Sequence, residues 1–150
     1  MSKITTIYDN LGTLIEAALT SHRRLANPYV PSDNNKLMLD KGYGIGFGPS
    51  TNTERQLSCQ MSIERTMNII FTKKVTTTTH NTTAQGTLEK AMMEDTVTFL
   101  TALEADADLS GAASKTVYLG DSGVELLEGE NSSHLLIQVD VNVEYFEDLT

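Results

Sequence analysis

The chain is poor in cysteine and proline, has no tryptophan, and has few basic residues in its second half. Of 150 residues one is cysteine and three are proline. The lone Cys59 rules out an intrachain disulfide framework, so folding must rest on a buried core. At this length a single domain over residues 1–150 is expected, burying about two-thirds of the surface that the unfolded chain exposes. The start MSKITTIYDN has no apolar core of a secretory signal, and the apolar runs fall far short of the roughly 20 residues needed to span a bilayer. The expectation is synthesis in a reducing cytoplasm, with no membrane partner. His22, His80 and His134 stand too far apart to form a zinc pattern, so neither metal nor cofactor is expected.

Charge is unevenly placed within a formal net of −9. Residues 1–88 hold nine Lys/Arg against six Asp/Glu, and residues 89–150 hold two against fourteen. If folding preserves this imbalance, one surface repels nucleic acid and a weaker positive surface suits an acidic partner or another copy's acidic side. Sequence-specific DNA reading is disfavoured.

The stretch KGYGIGFGPS, residues 41–50, has glycine at 42, 44, 46 and 48. A dinucleotide fingerprint needs G-x-G-x-x-G opening a helix, and a P-loop needs four residues between its glycines followed by Lys-Ser/Thr. A period of two is instead a strand period, with Tyr43, Ile45 and Phe47 on one side and a bare glycine face on the other that a backbone can approach closely.

Apolar residues from Ile4 to Leu19 recur at helical spacing, predicting a helix over residues 4–24 with Arg23 and Arg24 near its C-terminus and Asn27-Pro28 stopping it. After a polar break, PSTNTERQ, comes the clearest alternation: Leu57, Cys59, Met61, Ile63, Met67, Ile69 and Phe71 face one way. Arg65 interrupts that apolar face, either paired inside or placed at a subunit contact; the contact is the reading taken. Residues 73–83, KKVTTTTHNTT, read as an exposed loop or strand extension. A second helix is expected over residues 84–104, then strands at 115–119, 124–127 and 135–145, with a hairpin turn at Asp121-Ser122-Gly123. The fold class expected is α+β, an antiparallel β-sheet with two long helices packed on one face and long strand or hairpin extensions.

No catalytic constellation emerges. Gly120-Asp121-Ser122-Gly123 is similar to the nucleophile loop of chymotrypsin-like proteases, but that chemistry needs a partnered His and Asp on a double barrel. Asp106, Asp108, Ser110 and Gly111 fit the first part of an EF-hand loop, whose required Glu is replaced by Val117, so a solvated helix end is the better reading. Cys59 alternates with core residues and lacks an identifiable activating His.

The chain resembles the tail terminator (tail completion) proteins of long-tailed bacteriophages over nearly its whole length. The resemblance is carried by the first helix ending in RRLANPYVP, by Leu37 to Lys41 leading into GYGIGFGP, by TLEKAMMEDTVTFLTALEAD, and by the last strand ending VEYFEDL. It implies a virion protein made in the host bacterial cytoplasm. Such a subunit forms a homo-oligomeric ring, usually of six copies, that caps the tail tube protein and stops its polymerisation. The ring meets the head-closure or neck protein, while genomic DNA passes through the channel without sequence-specific binding. It implies neither enzyme activity nor a cofactor. A head-closure ring or a tail tube subunit is the nearest alternative, and a small cytoplasmic enzyme the more distant one. No motif of the resemblance fixes contacts, so the interface residues proposed from charge and glycine-flanked placement are Lys41, Tyr43, Gly44, Gly46, Arg55, Arg65, Lys73 and Lys74.

Overall fold

The structure is a computed structural model that describes residues 2–24, 41–55, 60–75, 82–128 and 133–149. Chain order is α1 (Lys3–Ala18), β1 (Arg23–Arg24), β2 (Gly42–Arg55), β3 (Gln60–Val75), α2 (Thr82–Ala105), β4 (Lys115–Asp121), β5 (Glu125–Glu128) and β6 (Ser133–Asp148). One six-stranded sheet runs β1-β2-β3-β6-β4, with β5 also paired to β6.

This corrects the expected architecture. The sheet is mixed rather than antiparallel, because β1 runs parallel to β2 through Arg23–Gly42 and Arg24–Tyr43. Strand, not helix, dominates: β2, β3 and β6 are 14, 16 and 16 residues long. The polar stretch read as a break continues as strand through Arg55, since cross-strand pairing to β3 compensates for the weak apolar pattern. The first helix ends at Ala18, well before residue 24. Leu19 leaves the helical conformation, and the Arg23 amide then donates to the Lys41 carbonyl, which draws the two arginines into the sheet.

Core formation follows the period-two pattern. Tyr43, Ile45, Met67, Ile69, Phe71, Ile137, Val139, Val141, Val143 and Tyr145 are almost fully buried and share one cluster with Ile7, Leu11 and Ile15 of α1 and Met92, Phe99 and Leu103 of α2. The registers Tyr43–Phe71–Ile137 and Ile45–Ile69–Val139 stack these side chains row by row across three strands. At about 25 cal/mol per Å², burial of such a cluster is the main stabilising term.

Two local breaks shape the sheet. Between Phe47 and Ser50 the β2–β3 register shifts at Gly48-Pro49, where proline has no N–H to offer the ladder. A Cβ on Gly48 would come 2.7 Å from the Thr66 carbonyl oxygen, so this glycine permits the close approach. The Asp121-Ser122-Gly123 corner is not a hairpin turn. Strands β4 and β5 both pair with β6 in the same sense, so the corner divides one edge strand in two. Ser122 holds the break to β6 in both directions: its amide donates to the Gln138 carbonyl, and its hydroxyl accepts from the Gln138 amide.

The second helix closes in a tight turn. Leu109, Ser110 and Gly111 all have positive φ, and Leu109 is fully buried. Asn10 of α1 donates to the Leu109 carbonyl at 2.7 Å, and the Asp106 carboxylate takes the Ser110 amide at 2.9 Å. The acidic segment thus acts as a helix end that secures itself.

Candidate interaction surface

The sheet face opposite the helices carries the even-numbered residues of β3 and β6. Over most of its length these are polar: Glu64 pairs with Glu144, Thr66 with Asn142, and Asn68 with Asp140. All are partly exposed, in contrast to the buried odd-numbered residues from Met67 to Val75 and from Leu135 to Tyr145. Lys115 of β4 lies across from Glu144 and is the cation of this row. Toward the other end the same face is buried at Ile70, Thr72 and Leu136. Gly42, Gly44 and Gly46 are buried as well.

Among the described residues the two outer edges differ in charge. At one, Arg23 and Arg24 of β1 and Lys41 before β2 are exposed. Arg24 lies over the rings of Tyr8 and Tyr43, with its guanidinium carbon 5.0 and 5.5 Å from their centroids. Tyr43 donates its hydroxyl to Glu16. Burial, reinforced by that carboxylate and only partly opposed by Arg24, pushes the Tyr43 phenol up to about 12. At the other edge, Val117, Tyr118 and Leu119 of β4 are 38, 43 and 55% exposed, an unusual apolar run for an outermost strand. Glu104 at the end of α2, Asp108 in the turn that follows it, Asp121 at the end of β4 and Glu125 of β5 are also exposed.

The proposed contact residues do not converge on one surface. Lys41 and Tyr43 belong to the basic edge, although Tyr43 is buried. Arg65 sits at the Gly48-Pro49 break, donating Nη1–H to the Gly48 carbonyl at 3.0 Å and Nε–H to the Tyr145 hydroxyl at 3.3 Å. It is paired inside the subunit. Lys73, expected as exposed charge, is buried, with its ammonium 3.2 Å from Asp95 of α2. His22 approaches the same carboxylate at 3.5 Å and meets the edge of Phe71. Burial alone would raise the Asp95 carboxyl, but His22 and Lys73 outweigh it and hold the group below the usual range. Lys74 is exposed, and the side chains of Arg55 and Cys59 lie outside the described residues. Sequence reading takes Arg23 as a charge at a helix end and does not single out Glu104 or Glu125 as contacts; the signal is present in the charge imbalance, but which residues occupy the edges depends on strand order.

A cleft of about 440 Å³ between α1 and the end of α2 is lined mainly by Leu14, Ala17, Ala18, Ala102 and Ala105, with Asp106 bound to its own turn. Among the described residues no group of His, Cys, Asp and Glu is placed to hold a metal ion, and no helix is long and apolar enough to cross a membrane. No protein-family model matches the chain, and no curated protein matches it.

Proposed function

We propose that this chain is a structural subunit of a long-tailed bacteriophage, a tail terminator that assembles into a ring, caps the tail tube, stops its polymerisation and joins the tail to the neck. The observation that carries the reading is the open sheet face, where Glu64, Asp140 and Glu144 alternate with the amides of Asn68, Gln138 and Asn142. Protein contacts to DNA phosphate are made chiefly by Lys and Arg, so a channel lined by such a face repels the backbone and lets DNA pass without adhering. Sequence features over nearly the whole length support the same assignment. Unlike charge on the two sheet edges suits the head-to-tail contacts of a ring, in which each copy presents two different surfaces.

Immunogold labelling of intact particles tests the location. Gold at the head–tail junction is the expected result. Labelling along the whole tube would instead indicate a tube subunit, and label confined to infected-cell cytoplasm would contradict a virion role.

A further inference from the structure

We infer that the basic β1 edge of one copy docks on the β4 edge of the next, an inference that rests on the ring reading and specifies its contact. β4 carries the observation. Its exposed Val117, Tyr118 and Leu119 lie on the outermost strand of the main sheet path, where natural proteins ordinarily place charge, proline or a covering segment to block strand addition. Among the described residues the protection is slight: Lys115 at one end, Asp121 at the other, and a register shift between Tyr118 and Gly120.

The partner is fixed by charge. Two β4 edges facing each other would bring Glu104, Asp108, Asp121 and Glu125 of both copies together, and two β1 edges would oppose Arg23, Arg24 and Lys41 to themselves. Like-charge juxtaposition disfavours both symmetric pairings. The β1-to-β4 pairing sets arginine and lysine against carboxylates while covering the apolar run, with Glu16 beside Arg24 and Lys115 on β4 as the minority charges of the two edges. Among the described residues, no ion pair engages Arg23 or Lys41 within their own copy. The contact is heterologous, so repeating it gives a closed ring if the rotation closes and a filament if it does not.

Sedimentation of the purified full chain, at rising protein concentration and in low and high salt, tests the contact in four forms. These are the natural chain, Arg23→Glu with Lys41→Glu, Glu104→Lys with Glu125→Lys, and the combination of all four changes. Circular dichroism confirms that each is folded. The natural chain should assemble, and salt should weaken assembly. Each double reversal should raise the dissociation constant at least about tenfold, and the fourfold exchange should restore most of the loss. Leu119→Lys, which leaves the carboxylates in place, should also weaken assembly. Assembly of the natural chain with all reversals unaffected overturns the edge contact while leaving a ring reading intact. A natural chain that stays monomeric at every concentration overturns the contact as well, and labelling of particles then judges the functional reading separately.

Discussion

Lys73 and Asp95 show how a residue that looks exposed in sequence becomes part of the interior. KKV reads as a polar strand end, yet Lys73 shares the core-facing register with Phe71 and reaches α2, where Asp95 meets it. Nothing local marks Asp95 among the acids of the second helix. Asp95→Ala should destabilise the fold by about 2 kcal/mol, because it leaves the ammonium buried without its partner, and replacing both residues by apolar ones should cost less than the sum of the single changes. Thermal melts of the single and double variants measure this. The carboxyl is held below its usual 3.8, so its contribution is present above that value and is lost as pH falls through the depressed one. Asp95→Asn should therefore flatten the acid limb of stability against pH. Tyr43 has the opposite sign: with the phenol raised from 10.0 to about 12, its contribution is full below 10 and disappears as pH rises toward 12. Tyr118 is also raised, by its bond to Asp121, so ultraviolet titration should show late-ionising tyrosine in the natural chain, and the part of it near 12 should vanish in Tyr43→Phe. Gly48 was legible as part of a glycine period, but its function at a register break was not. Gly48→Ala, forced against the Thr66 carbonyl oxygen, should cost on the order of 1–3 kcal/mol in a denaturant melt.

Elements were legible where one periodicity held, and obscured where pairing overrode it. The alternation from Leu135 to Tyr145 predicts β6 and its buried face because that strand lies between two neighbours and packs on both helices. The end of α1 was overextended, since apolar spacing says nothing of the parallel pairing that takes Arg23 and Arg24 into the sheet. Local chemistry likewise suggests a reversal at Asp121-Ser122-Gly123, whereas β6 holds both flanking strands along a single edge. The start of α1 has two supports: Ser2 accepts the Thr5 amide, and the Glu147 carboxylate from the end of β6 accepts the Lys3 and Ile4 amides at 2.8 and 3.2 Å. That second cap joins residues over 140 positions apart and has no sequence signature. Glu147→Ala should cost about 1 kcal/mol and should accelerate hydrogen exchange in the first turn of α1 more than in α2.

At the scale of the molecule, the division of charge along the sequence becomes a division between sheet edges. Arg23, Arg24 and Lys41 come from the weakly basic first half, while Glu104, Asp108, Asp121 and Glu125 come from the acidic second half, and β2, β3 and β6 separate the two groups. The sequence imbalance anticipates complementary surfaces, but their placement needs the strand order, which brings the last strand between the third and fourth. The open face follows from alternation alone: between Glu64 and Asn68 of β3 and between Gln138 and Glu144 of β6, the residues left on the far side of the buried rows are acids, amides and Thr66. Its proposed use as a channel lining depends on the ring and thus on the tail. The most direct test is negative-stain imaging of lysates from a phage lacking this gene. Tails of uncontrolled length, unattached to heads, are the predicted result; tails of normal length, or intact infectious particles, would contradict the assignment.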